Sequence, residues 1–509
     1  MRRLNQFVHY IPQGILVASL GWVYLATISP GLTWANNGSD GGDLIAAAAT
    51  GGVPHPTGYP VYLLLASLFQ QLPVGSLAFR TNLMSALATI CAAVMVYELV
   101  TRFLSSSGVR SNWLAGLASA FAFGLSSLIW SQAVITEVYA LHALFIVLIL
   151  YLSAGLISRF TRGQLDCLTG LIFGLAMGNH VTTIFLLPIV FAPAISRVPH
   201  LAGLENPDAR LFTKNWRLDL RSMLRRFAFM NIGLLAYIII PLRALSQPPV
   251  NWGNPVTLNG FGWLVSGRLY QHELMQLSLA SAWERTQSAV TMLLGQFGVP
   301  GLFVGLIGLI VFFSKSRLNW NMIWLTLVSS IFAIGYGTWD SFVYLMPAFL
   351  CFSVWIGIGV AGLMEMIAPR IRAGGFVIGL VFISWLFILA ANSWPSVDAS
   401  QDRSAEEFGK TVLAQVPDQA IVFTKGDDAV FALWYFHYAL GQRPDIVVVA
   451  SDLLHHDWYQ QTLQATYPSL SVPGPFPFEE TIRLANPSRP ACYVEYAGGP
   501  DIQCLAPAK

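Results

Sequence analysis

The segment Ser39-Asp40-Gly41-Gly42-Asp43 and the turn His55-Pro56-Thr57-Gly58-Tyr59-Pro60 bring two carboxylates and an imidazole into one short stretch of an otherwise strongly apolar chain. Groups of this kind can take a proton from a hydroxyl nucleophile or bind an ion. Both stretches follow the first apolar run, about Ile11 to Ile28. Lipid cannot solvate an ionised carboxylate, so these side chains are expected near water or near a partner. Further polar residues break later apolar segments: Glu137 before Val138-Tyr139, Asn179-His180, Asp340, and Asn251-Trp252-Gly253-Asn254-Pro255 followed by Arg268.

The elements that must position these groups follow from composition. Hydrophobic residues make up 55% of the chain and charged residues 11%, against about 25% charged in an ordinary soluble protein. That is an integral membrane protein. The net charge of +2 is too small to argue for nucleic acid, and no nucleic-acid motif is present. Met1-Arg2-Arg3 and the apolar run behind it carry no clear small-x-small cleavage site, so the run reads as a retained first helix, with a cleaved signal peptide as the alternative. Cys91, Cys167 and Cys351 lie in or beside apolar segments, where packing suffices as their role. Cys492 and Cys504 lie in the polar C-terminal region and can pair there if that region is exported.

A spanning helix needs roughly 20 apolar residues. Eleven segments qualify, centred near residues 21, 91, 121, 147, 172, 189, 235, 305, 329, 353 and 383. With the N-terminus inside, alternate connections hold Arg2 and Arg3, Arg102 and Arg110, Arg159 and Arg162, seven cations from Arg197 to Arg226, Lys315 and Arg317, and Arg370 and Arg372. The opposite connections hold only Arg80, Arg243, Arg268 and Arg285. This positive-inside bias puts the C-terminal region outside, and it sorts the polar motifs to the same outer side. A site facing the periplasm or a lumen is the expectation, in a bacterial inner membrane, with the endoplasmic-reticulum membrane as the alternative.

Two short interfacial helices are expected in the first external loop. One runs from Asp43 to Thr50 and is stopped by Gly51-Gly52; the other runs from about Val61 to Leu72, behind the prolines around His55. Asp40 is expected in the glycine-rich turn before the first, where backbone N–H groups favour a carboxylate. The membrane domain is assigned to 1–394 and a small extracytoplasmic α/β domain to 395–509, with a linker from Trp394 to Ser404. In that domain Ala420–Thr424 and Asp445–Ala450 read as parallel strands around a helix from Ala429 to Leu440. Asp427 and Asp428 stand at the end of the first strand, a common ligand position in open sheets; with no phosphate-binding glycine pattern beside them, helix capping is the preferred reading and a ligand role the alternative. No repeat at a fixed period is present, which disfavours a transporter built from duplicated halves.

Together the motifs resemble those of the membrane glycosyltransferases of the GT-C class, on the branch that includes the transmembrane O-mannosyltransferase of plexin-type receptor domains and its bacterial relatives. The matching features are Asp40-Gly41-Gly42-Asp43-Leu44 with His55-Pro56-Thr57-Gly58-Tyr59-Pro60, Asn82-Leu83-Met84-Ser85, Glu137-Val138-Tyr139, Gly178-Asn179-His180, Pro241-Leu242-Arg243-Ala244, the run 251–255, Ser266-Gly267-Arg268, and Arg443-Pro444-Asp445. The sequence departs from the family pattern at Asp43, Thr57 and Asn254, where Glu, Pro and Asp are usual. The resemblance implies a GT-C-like fold, a polyprenyl-phosphate sugar donor, an acceptor entering from the outer side, and inversion at the anomeric carbon.

Under that reading Asp40 is the base that deprotonates the acceptor hydroxyl. Asp43 orients it, binds a sugar hydroxyl or helps to hold a divalent ion; two acids alone make a thin metal site, and no metal is assigned. The departing lipid phosphate needs cations or fixed donors, for which Arg268, Arg243 and His180 are the candidates. His55, Tyr59, Glu137, Asn179, Trp252 and Asp340 are candidates for binding sugar or acceptor, with Trp339 a further stacking ring. The expected activity is transfer of a sugar such as mannose to an exported hydroxyl, for example of protein Ser or Thr. Two other classes compete: an ion-coupled transporter or lipid flippase, and a noncatalytic membrane assembly factor. The clustering of the acids at one surface, away from mid-membrane, weighs against transport.

Overall fold

A computed structural model describes residues 2–106, 109, 112–157, 159–192, 195–197, 216–274, 277–311, 317–338, 340–371, 373–472 and 477–507. Arg110, Arg210, Lys214, Lys315, Trp339 and Arg372, all used in the sequence argument, lie outside the described residues. Among the described residues, six helices are long and apolar enough to cross a membrane: Leu77–Ser106, Leu220–Ala244, Leu279–Ile310, Arg317–Gly335, Ser341–Ile367 and Gly374–Val397. A seventh results if Asn112–Gly124 and Ser127–Ala133, bent by 67°, form one span. The protein is thus a polytopic helical membrane protein.

Each of the eleven expected centres falls inside a helix, but the helices differ in kind. Arg2–Thr27 has 26 residues, whereas Tyr139–Ser153 has 15 and Arg162–Met177 has 16. The short ones end at polar residues: Glu137 precedes Tyr139–Ser153, and Asn179-His180 separates Arg162–Met177 from the apolar helical stretch Val181–Phe191. Irregular backbone inside an apolar bundle is tolerable only where protein or a cavity satisfies it, so these breaks already mark where the bundle opens. Elsewhere the helices meet closely. A Cβ at Gly174 would stand 2.1 Å from the Met230 carbonyl oxygen, so only glycine lets Arg162–Met177 lie against Leu220–Leu234.

Both short helices expected in the loop after the first apolar run are present. Gly41–Thr50 is stopped by Gly51 in the left-handed region (φ 67°), and Pro60–Phe69 starts with its proline in the first turn, where the missing N–H costs nothing. The second is shorter than expected. The helix Gly374–Val397 runs through Pro395 and takes in the first four residues of the expected linker. Asp402 then ties the following segment back, its Oδ2 accepting from the Trp34 and Ala35 amides at 3.0 and 3.1 Å.

Beyond the linker the chain builds a four-stranded sheet. Strand Ile421–Thr424 pairs in parallel with Val447–Ala450 on one side and Ala491–Tyr496 on the other, and Pro500–Leu505 adds an antiparallel edge. The helix Asp427–Trp434 connects the first two strands, as the alternation of patterns predicts. The hairpin of the last two strands places Cys492 opposite Cys504, and the two form a disulfide.

The buried apolar residues form two clusters. One fills the membrane bundle. The other runs without interruption from Leu44, Ile45 and Tyr62 of the external helices, through Trp252, into Phe408, Phe431 and Trp434 of the C-terminal layer. Contact here is intimate: a Cβ at Gly42 would stand 2.3 Å from the Phe431 carbonyl oxygen. Gly42→Val is therefore expected to cost at least about 1–3 kcal/mol by overpacking. A lowered melting temperature, together with faster proteolytic nicking in the C-terminal layer, would register it.

Candidate active site

The loop from Thr50 to Pro60 folds back so that His55 lies over the start of the helix Gly41–Thr50. Asp43, on the first turn of that helix, is fully buried and spends both oxygens on protein donors. Its Oδ2 accepts from the His55 amide at 2.9 Å and pairs with Nδ1 of the ring at 2.7 Å, while its Oδ1 accepts from the Trp252 indole N–H at 3.1 Å. The other ring nitrogen, Nε2, lies 3.6 Å from Asp40 Oδ2 and 3.1 Å from the Tyr59 hydroxyl. That hydroxyl donates to the Pro56 carbonyl at 2.9 Å, so it accepts from Nε2. Both ring nitrogens of His55 then act as donors, the pattern of an imidazolium. Burial opposes that charge, but Asp40 and Asp43 outweigh it and raise the ring to about 9.

Asp40 stands one residue before the helix, which starts at Gly41 and so takes Gly41 and Gly42 out of the turn expected ahead of Asp43. Its side chain makes no capping bond; it turns to His55 instead. Asp40 remains 36% exposed, while His55 and Asp43 are buried behind it, so of the three Asp40 is the open group. Burial in the protein body raises its carboxyl, His55 lowers it, and Asp43, Asp340 and Asp428 raise it further. A carboxylate raised in this way is a stronger base that the adjacent imidazolium keeps ionised.

Asp40 opens into a cavity of about 420 Å³ lined also by His55, Tyr59, Glu137, His180 and Asp340 among the expected residues. Glu137 is buried, and burial followed by the charge of Asp40 pushes its carboxyl well up; its Oε2 accepts from the Val138 amide. His180 is pushed the other way, to about 4, by burial and then by His55. The Thr182 amide donates to its Nδ1 at 3.3 Å. A neutral ring accepting at Nδ1 carries its proton on Nε2. Val181, Ile184, Phe185, Phe332 and Val343 give one part of the wall an apolar character, and Tyr139, Tyr270, Tyr336 and Tyr344 stud it with hydroxyls.

Five expected site residues are not brought to the cavity wall. Asp43 and Trp252 lie behind His55. Asn179 is buried, with its Nδ2 donating to the Val138 carbonyl at 3.2 Å. Arg243 donates to the carbonyls of Ala47 and Gly52 at 3.2 Å each and to Ser67 Oγ at 3.1 Å, closing the first external helix against its successor. Three of its N–H donors are thus spent on protein acceptors, and it is absent from the cavity lining. Arg268 is exposed and follows Gly267, which lines the cavity, as do Tyr270 and Gln271. Among the described residues no group of three or more His, Cys, Asp or Glu is arranged to hold a metal ion. Asp40 and Asp43 turn to different sides of one ring and do not converge on a common ion.

Sequence reasoning missed Asp427, which lines the cavity from the C-terminal layer. Burial and then the charge of Asp40 raise it to about 6. Only its neighbour Asp428 bonds the turn, through Ser39. The position of Asp427 at the end of the first strand was the one available signal. The tyrosines carried none, because an aromatic residue within an apolar segment looks the same whether it faces lipid, core or cavity.

Comparison with known proteins agrees with this architecture. A family model described as the Protein O-mannosyl-transferase TMEM260 N-terminal domain matches residues 40–200, and one described as TMEM260-associated domain 2 matches residues 405–486. Protein O-mannosyl-transferase TMEM260 of Mus musculus is 26% identical over 487 residues, covering 90% of this chain and 65% of that protein. Protein O-mannosyl-transferase tmem260 of Dictyostelium discoideum is 21% identical over 515 residues, covering 90% and 59%. The chain thus spans less than two thirds of the length of either relative. Among solved structures, ArnT from Cupriavidus metallidurans bound to undecaprenyl phosphate superposes with a TM-score of 0.58 at 11% identity, over 95% of this chain and 93% of that one. The chain resembles the TMEM260 proteins in sequence and has a GT-C fold.

Proposed function

We propose that this chain, similar in sequence to protein O-mannosyl-transferases and folded as a GT-C protein, is an inverting glycosyltransferase that moves a sugar such as mannose from a polyprenyl-phosphate carrier to an exported hydroxyl, for example of protein Ser or Thr. The observation that carries the reading is Asp40, an open carboxylate at the cavity wall, backed by an imidazolium that a buried Asp43 holds in place. The undecaprenyl phosphate named in the ArnT structure supports a donor of that class. The relatives' names support a protein acceptor. Eleven spans, a membrane domain over 1–394, an outward-facing extracytoplasmic domain over 395–509, and residence in a bacterial inner membrane complete the proposal.

The acceptor oxygen loses its proton to Asp40 as it bonds to the anomeric carbon. The bond from that carbon to the phosphate oxygen breaks, and the polyprenyl phosphate leaves with the electron pair. One base and no protein nucleophile suffice, so the configuration inverts. The isoprenoid lies against the apolar part of the wall formed by Val181, Ile184, Phe185 and Phe332. His180 offers the phosphate a hydrogen bond from its neutral Nε2–H, and Arg268 offers a charged one from the rim. Tyr59, Glu137 and Asp340 hold the sugar by its hydroxyls.

Purified protein given a polyprenyl-phosphate sugar and a hydroxyl peptide should release polyprenyl phosphate and yield a glycopeptide of inverted anomeric configuration. An intact donor, or a product of retained configuration, would overturn the proposal. Arg268→Ala should raise the donor KM about tenfold, the worth of one charge-assisted bond, and leave the acceptor KM unchanged. Arg243→Ala should instead lower thermal stability at constant donor KM.

A further inference from the structure

The C-terminal layer does more than cover the membrane bundle. Its helix Asp427–Trp434 lies directly on the candidate active site, with the Phe431 ring stacked on His55 at 6.3 Å and 16° and packed against Trp252 at 6.2 Å. The shared core and the close approach at Gly42 fix the helix there. Asp427, its first residue, projects into the cavity, and its carboxylate makes no hydrogen bond to protein among the described residues. Asp428 beside it is engaged with Ser39. The layer thus presents one carboxylate free at the cavity, on a helix that is packed in place.

We propose that Asp427 binds the acceptor, and that the acceptor is a peptide segment carrying cationic or N–H-rich flanks beside its hydroxyl. This rests on the glycosyltransferase reading. The isoprenoid must come from the bilayer, along the part of the wall formed by the spanning elements. The wall formed by the C-terminal layer is left for the acceptor. A carboxylate there repels a phosphate and attracts an ammonium, a guanidinium or a peptide amide, so it suits the acceptor and not the donor. Because Asp427 belongs to the C-terminal layer and Asp40 to the first external loop, the acceptor is gripped by one part of the chain and deprotonated by another. Selection of acceptor sequence by charge follows.

The test uses the full chain, one polyprenyl-phosphate sugar and two peptides sharing a central Ser/Thr, one flanked by Lys and one by Glu. The wild type should prefer the Lys-flanked peptide by about tenfold in kcat/KM, the worth of one hydrogen-bonded charge. Asp427→Asn should raise the KM for that peptide about tenfold, with any change in kcat the same for both peptides and for loss of sugar from the donor to water, since it arises only from the charge felt by Asp40. Asp427→Lys should reverse the preference. An acceptor KM that does not change in either variant would overturn the assignment, as would a change in donor KM. Failure of the underlying reading is separately visible, because the wild type would then turn over no donor. A fold lost in a variant would show as lost donor hydrolysis, which the Asn variant, isosteric and bonded to nothing, should retain.

Discussion

Asp40→Asn should lower sugar transfer by roughly a hundred- to ten-thousand-fold, the range that a positioned general base supplies. The substitution keeps the shape of the side chain and removes only its capacity to accept a proton as the new bond forms. Folding should survive, because Asp40 is partly open to the cavity and caps no helix. Donor affinity should hold or improve slightly, since one negative charge near the phosphate is gone. Single-turnover transfer measured beside equilibrium donor binding separates these effects. Transfer at the wild-type rate would remove Asp40 from the chemistry, and a matched loss of donor binding would mean that the cavity had collapsed.

Asp43→Asn should act differently, through His55. In the native protein the ring is held near 9, against an ordinary 6.5, by Asp40 and Asp43 acting against burial. A folded-state value above the unfolded one stabilises the protein fully below about pH 6.5, and that stabilisation is lost as pH rises through about 9. The stake is on the order of 3 kcal/mol at the low end of that window. Loss of the Asp43 charge brings the ring down, so the melting temperature at pH 6 should fall and its decline between pH 6.5 and 9 should flatten. Asp40 then loses part of the neighbouring charge that keeps it ionised. The lost imidazolium charge raises the Asp40 carboxyl and the lost Asp43 charge lowers it, so the acid limb of kcat/KM should move less than the pH profile of melting does. An unchanged pH profile of both melting and rate would show that Asp43 does not tune the ring.

Much of this was legible in residue types. The glycine stop at Gly51, the proline start at Pro60 and the strand, helix and strand near 421–450 follow from local backbone chemistry, and the structure places them within a few residues of expectation. The cavity residues Asp40, His55, Glu137, His180 and Asp340 stood out because ionisable groups in apolar surroundings are costly and therefore informative. What stayed hidden depends on contacts between distant segments. Nothing local to Arg243 says that three acceptors from the first external loop surround it. Nothing local to Asp427 distinguishes a capping carboxylate from one aimed across a cavity. Asp43 was read beside Asp40 as its partner, but the partnership runs through His55 and the indole of Trp252, which lies 209 residues away.

The uninterrupted apolar core between the external helices and the C-terminal sheet also constrains how reactants can come and go. Swinging the sheet outward as a lid would bare Phe408, Phe431 and Trp434, at about 1.5–3 kcal/mol for each ring returned to water. It would also tear Asp402 from the Trp34 and Ala35 amides. Opening by such a hinge is therefore costly, and small side-chain excursions at the rim are the cheaper route into the cavity.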